Sequence, residues 1–146
     1  MVRANQILER LHADLIGPWK EWLGKKYALT IMDDYSRFCT AIPIHAKSDT
    51  KRALKEWITQ IETLTNQKVA TIQADWGGEF RNNDLQQWCT KRGITTKPTK
   101  AYHHETNAII ERLNRTLQDM HQQEKKFRHE ILDRPSVTTH QISVRN

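Results

Sequence analysis

The stretch Ile72-Gln73-Ala74-Asp75-Trp76-Gly77-Gly78-Glu79-Phe80 decides how the rest of the chain is read. Residues 69–74, which lead into it, form an apolar run with the length of a buried strand. That run delivers one acidic residue, Asp75, to its end. Two glycines follow after Trp76 and let the backbone turn sharply. A carboxylate at the mouth of a strand, above such a turn, is well placed to hold a cation in a cleft. Further carboxylates must then come from segments that fold back on this one.

Upstream, Ser48-Asp49 offers a helix N-cap. Ala53, Leu54, Trp57, Ile58, Ile61 and Leu64 recur at helical spacing, and Asn66 ends the pattern. A helix between two strands of one sheet implies a crossover, and so a parallel pairing. Three short strands precede it. The first spans residues 11–16, carries Asp14 and stops at Gly17-Pro18. The second spans 27–32 and closes in the turn cluster Asp33-Asp34-Tyr35-Ser36. The third spans 37–44, with Pro43 near its end. Short turns between them predict an antiparallel meander.

Downstream, Asn82-Asn83-Asp84 can cap a shorter helix with Leu85, Trp88 and Cys89 inward and Gly93 as its stop. Residues 94–97 read as a fifth strand. Residues 98–106 lack apolar periodicity and read as a loop carrying His103 and His104. Thr106 or Asn107 then caps a last helix with the stripe Ile109, Ile110, Leu113, Leu117 and Met120. Glu111 lies off that stripe. Asn114, Arg115 and Gln118 share its sector at i+3, i+4 and i+7. The expected organisation is an N-terminal lead at 1–10, an α/β core at 11–121, and a charged extension with a disordered tail at 122–146.

The 146 residues suffice for one domain with a core, and 37% hydrophobic with 27% charged residues suits a globular chain. No apolar run approaches the roughly 20 residues of a membrane span, and residues 1–10 lack a signal-peptide core. Cys39 and Cys89, alone and far apart, fit a reducing compartment. A net charge of +6 and a pI near 9.5 favour polyanionic partners.

Three acids stand out: Asp14, Asp75 and Glu111, the last two separated by thirty-five residues. At this point the chain resembles the catalytic core of retroviral-type integrases, and more closely that of copia-type retrotransposon integrases. Four ordered blocks carry the resemblance: Leu11-His12-Ala13-Asp14-Leu15-Ile16-Gly17-Pro18, Tyr27-Ala28-Leu29-Thr30-Ile31-Met32-Asp33-Asp34-Tyr35-Ser36-Arg37, Asp75-Trp76-Gly77-Gly78-Glu79-Phe80, and Asn107-Ala108-Ile109-Ile110-Glu111-Arg112-Leu113-Asn114-Arg115-Thr116-Leu117. Together they span about residues 11–120. The resemblance implies a ribonuclease-H-like fold, a five-stranded mixed sheet flanked by helices.

It also implies that Asp14, Asp75 and Glu111 are the catalytic, metal-binding triad of a polynucleotidyl transferase. Such a triad takes Mg²⁺ or Mn²⁺, as a pair of ions, which prefer oxygen ligands. Two ions about 3.5–4 Å apart can serve both the attacking and the leaving oxygen of a phosphodiester exchange. DNA is the implied partner, with Asn114, Arg115 and Gln118 as candidate contacts. A homodimer or higher oligomer is expected, with no membrane association, inside the cell and in the nucleus for the DNA-acting form.

Asp33 and Asp34 read as turn-closing acids, and Glu79 as a surface residue. The chain departs from most of the family at Trp76, where Asn is usual, and at Ala108, where Gly is usual. The family's upstream zinc module and downstream basic region are not in this sequence, which suggests a fragment or remnant of a mobile element opening at its own Met1. Two rival readings are an inactive remnant that only binds DNA or another partner, and a ribonuclease-H-like nuclease acting on RNA·DNA hybrids.

Overall fold

A computed structural model describes residues 3–19, 24–75, 78–80, 83–98 and 104–127. Five strands form one mixed sheet: β1 (Arg10–Ile16), β2 (Tyr27–Asp33), β3 (Cys39–Ile44), β4 (Thr71–Ala74) and β5 (Thr95–Pro98). Their order is β3-β2-β1-β4-β5. The first three pair antiparallel, as the short turns between them require. β4 joins β1 in parallel, and β5 joins β4 in parallel. Helices α1 (Thr50–Thr65) and α2 (Asn83–Lys91) make those two crossovers, and α3 (His104–Phe127) closes the order. The sheet and its order agree with the ribonuclease-H-like expectation.

Strand alternation divides the apolar residues between two faces. Leu11 and Ala13 of β1, Leu29 and Ile31 of β2, and Ile72 and Ala74 of β4 face the same side. There they meet Ala53, Leu54 and Ile58 of α1 and Leu85 and Cys89 of α2. The opposite face is smaller: Ile16, Trp19 and Ala28 are buried with Leu117 of α3, and Ala41 and Leu113 pack beside them.

Local chemistry explains where boundaries differ from expectation. β3 begins at Cys39 rather than Arg37, because Arg37 turns through φ +64° and its N–H returns to the Asp33 carbonyl at 2.8 Å. Pro43, which has no N–H, is tolerated because β3 is an edge strand. β4 begins at Thr71: the Val69 N–H goes to Glu62 Oε2 and the Ala70 N–H to the Leu8 carbonyl, both outside the ladder. Asp49 precedes α1, but its carboxylate accepts from the Ala46 N–H instead of capping the first turn. Asn66 ends α1 in the left-handed conformation, φ +54°.

Two apolar expectations fail. Leu64 is 81% exposed and Met120 is 43% exposed. In α1 the inward face rotates onto Ile58 and Glu62, and the buried Glu62 carboxylate pairs with Arg92, the residue after α2. In α3, His121 takes the buried position that the stripe assigned to Met120. Also, α3 begins at His104, inside the segment read as a loop, and continues to Phe127. His103, Trp76 and residues 128–146 lie outside the described residues. Cys39 and Cys89 are both free thiols.

The N-terminal lead packs onto the domain. Leu8 joins the main core, its N–H donating to Asp33 Oδ1 at 2.8 Å. The Ala4 N–H donates to Asp34 Oδ2 at 2.7 Å. The two acids read as turn residues do close the turn, with the Ser36 N–H and hydroxyl both on Asp33 Oδ2. They also fasten the start of the chain.

Candidate metal centre

Asp14 lies in the second half of β1, and Asp75 is the residue that leaves β4. The two strands run parallel with Leu11 opposite Ile72 and His12 opposite Gln73. Asp14 follows the last of these pairs by two residues on β1, and Asp75 follows it by two residues on the other chain segment, just past the end of β4, so both lie at the same end of adjacent strands. Alternation puts the Asp14 side chain on the face opposite α1 and α2, together with His12, Gln73 and Ile16. Sixty-one residues of sequence separation thus become a single step across the sheet.

The backbone also fixes what surrounds the pair. Asp14 is half-buried, and its Oδ1 accepts the Leu15 N–H at 2.9 Å. Asp75 is exposed, at the open end of its strand. The chain beyond it is held by Phe80, which is 1% exposed in the main core at the end of a 3-10 turn over Gly78–Phe80. Below the aspartates lie two polar residues that the sequence reading passed over: His12 is 7% exposed and Gln73 is 2% exposed. Each stands two residues before an aspartate, so strand periodicity alone could have identified them.

His12 Nε2 is 2.8 Å from Asp34 Oδ1. Burial holds this imidazole below its ordinary value, against the opposing pull of Asp34. At neutral pH the ring is therefore neutral and donates Nε2–H to the carboxylate. Burial would raise Asp34 by itself. The Ala4 N–H, the His12 hydrogen bond and the charges around it together hold its carboxyl below the usual value. Arg10 completes the cluster at 3.3 Å.

Glu111 is an exposed residue of α3, the helix packed on this same face through Leu113 and Leu117. Among the described residues, no three His, Cys, Asp or Glu side chains converge into a group able to hold a metal. Asp14 and Asp75 thus sit at the same end of adjacent strands, and the three acids Asp14, Asp75 and Glu111 do not form one cluster. The donor set itself, carboxylate oxygens alone, suits a hard divalent cation such as Mg²⁺ or Mn²⁺. Of the other residues in the Glu111 sector, Arg115 is exposed. Asn114 Oδ1 is buried with no hydrogen-bond partner. Gln118 is exposed, but its Oε1 accepts the Trp19 Nε1–H at 2.8 Å.

Comparison with known proteins bears on the family and the fold. A family profile described as integrase core domain matches residues 4–104, a span that holds both aspartates and stops short of Glu111. The retrovirus-related Pol polyprotein from transposon TNT 1-94 of Nicotiana tabacum is 27% identical over 117 residues, 79% of this chain. The corresponding polyprotein from transposon 412 of Drosophila melanogaster is 31% identical over 112 residues, 76% of this chain. The chain spans only 9% of the length of either relative. Among solved structures, the HTLV-2 integrase catalytic core domain in complex with magnesium, in its dimeric form, superposes with a TM-score of 0.64 at 17% identity. That match covers 91% of this chain and 81% of that one.

Proposed function

The chain belongs to the integrase core domain family, and we propose that it is an integrase catalytic core that joins DNA ends to target DNA by metal-dependent transesterification. The observation that supports the reading is the parallel pairing of β1 with β4, which brings the strand carrying Asp14 beside the strand that leads into Asp75, with both acids toward the same end of the sheet. The same spot is open on the Asp75 side, where a DNA backbone can approach.

In the proposed reaction a DNA 3′-hydroxyl attacks a phosphodiester of the target. The attacking hydroxyl gives its proton to solvent as its P–O bond forms, the P–O bond to the target's 3′-oxygen breaks, and that oxygen leaves with a proton from solvent. Asp14, Asp75 and Glu111 would hold the Mg²⁺ or Mn²⁺ ions, which when bound supply Lewis-acid activation and charge neutralisation at the phosphate. Asp14 is the best fixed of the three, because its strand lies between two neighbours and its carboxylate is tied to the Leu15 N–H. Glu111 comes from a helix packed by few apolar side chains, so substrate and cations would draw it toward the aspartates. Arg115, one turn beyond Glu111, offers charge to a phosphate and carries no base readout.

A net charge of +6 supports DNA as the partner, through salt-sensitive contacts with the backbone. The HTLV-2 core is described in a dimeric form, and we carry self-association over to this chain, with action in the nucleus. One observation favours the alternative of a non-catalytic DNA-binding module: among the described residues, Asp14, Asp75 and Glu111 do not converge into one group. No helix among the described residues is long and apolar enough to cross a membrane.

The deciding experiment is a melting scan with and without Mn²⁺ on the parent and on Asp75→Asn, beside a strand-transfer assay with Glu111→Gln as control. Catalysis requires a Mn²⁺-dependent rise in melting temperature that Asp75→Asn removes, because only the folded state assembles the site. It also requires strand transfer that Glu111→Gln abolishes. A metal response without strand transfer, or no response at all, selects the non-catalytic module.

A further inference from the structure

Trp19 connects the strand that carries Asp14 with the helix that carries Glu111. It follows Asp14 by five residues, just past the Gly17-Pro18 turn. The turn is tightly built: a Cβ on Gly17, which sits at φ +123°, would lie 2.6 Å from the Lys26 carbonyl oxygen. The Trp19 N–H donates to that same carbonyl at 2.8 Å, so the residue's backbone is fixed to the start of β2. Its indole is 8% exposed and buried with Ile16, Ala28 and Leu117.

Two contacts then reach α3. The indole N–H donates to Gln118 Oε1 at 2.8 Å, and the ring lies 5.6 Å from the imidazole of His121, tilted by 31°. Apolar contact alone leaves a helix free to slide or roll by fractions of a turn. A directional hydrogen bond does not. Gln118 is seven residues from Glu111, two turns along the same side of the helix and about 10 Å along its axis.

We propose that Trp19 is a positioning residue for the acid site: its N–H, held by Gln118, sets the roll and height of α3 and thereby the reach of Glu111 toward Asp14 and Asp75. This role rests on the metal-site reading above. It gives the Gly-Pro-Trp turn a function that a strand terminator lacks, and it gives Gln118 a use other than touching DNA.

The test compares the parent with Trp19→Phe, Gln118→Leu and the double variant. Each is titrated with Mn²⁺ alone, following melting temperature and the free-ion signal in electron paramagnetic resonance. Phe keeps the ring packing and removes the donor. Gln118 is exposed, so its freed oxygen meets water. Gln118→Leu leaves the buried indole N–H without this acceptor and Trp19→Phe trims a buried ring, so metal-free melting should fall modestly and each Mn²⁺ response is read against that variant's own metal-free melt. The apparent Kd for Mn²⁺ should rise about fivefold in either single variant, the net worth of one hydrogen bond. The double variant should show no greater loss than either single one. Single variants that bind Mn²⁺ as the parent does, or losses that add in the double variant, overturn the role of Trp19. A parent with no Mn²⁺ response sensitive to Asp75→Asn overturns the metal site, and the Trp19 role with it.

Discussion

Replacing Asp34 with Ala should destabilise the fold more than any other single change of an acid outside the candidate metal centre. The carboxylate is 5% exposed and accepts from the Ala4 N–H at 2.7 Å and from His12 Nε2 at 2.8 Å, with Arg10 at 3.3 Å. Its removal leaves a buried imidazole and a buried backbone N–H without an acceptor. Breaking one side of a buried charged network costs about 3–5 kcal/mol, out of a total of roughly 5–15. At about 3 °C per kcal/mol for a chain of this size, the melting temperature falls by about 10 °C. Asp34→Asn keeps one acceptor and should lose about 1–2 kcal/mol. Urea titrations of the three proteins at pH 7 measure both differences. The pH profile adds a second check. Because folding depresses the Asp34 carboxyl, its contribution is fully present above the unfolded value near 3.8 and is lost as pH falls through the folded one. His12, also depressed, adds loss in the same direction as pH falls past about 6.5. Asp34→Asn should lack the steeper acid limb. A loss below 1 kcal/mol in Asp34→Ala, or an unchanged acid limb in Asp34→Asn, would refute the clamp.

Three further outcomes follow from burial and backbone. Phe80→Ala, which empties a fully buried ring site behind Asp75, should cost about 3–5 kcal/mol in urea unfolding. Leu64→Gln should stay within about 0.5 kcal/mol of the parent by the same measurement, since that side chain is 81% exposed. Gly17→Ala, at φ +123° and 2.6 Å from the Lys26 carbonyl, should lower stability by at least about 1 kcal/mol in thermal melts.

The sheet was legible in the sequence because its first four strands are short, largely apolar runs with their own turn signals, while the polar β5 is marked by Gly93 before it and Pro98 at its end. The parallel placing of β4 followed from the helix before it, and it brings two remote aspartates to the same end of adjacent strands. What was not legible depends on partners far along the chain. Glu62 reads as a solvent-facing helix residue until Arg92, thirty residues on, is known to meet it. His12 and Asp34 are similarly twenty-two residues apart and come together only through the β1–β2 ladder. Met120 lost its inward place to His121, a polar residue, because Trp19 supplies an aromatic surface for it. Apolar periodicity cannot anticipate such a preference. The position of Glu111 was the least readable feature, since a helix pattern fixes a face and leaves the docking height undetermined.

The division of the sheet into two apolar clusters has a practical consequence. Everything bearing on the acids lies on one side, whereas α1 and α2 occupy the other and expose their own charged surface. There Lys51 and Lys55 meet Asp84, and Trp88 sits beneath Lys55 and Arg92. The five strands work as a bulkhead between these compartments. A dye, tether or fusion partner attached to the outer surface of α1 is shielded from the cleft by the full thickness of the domain, making that flank the natural handle for immobilising the protein while DNA is presented to the other.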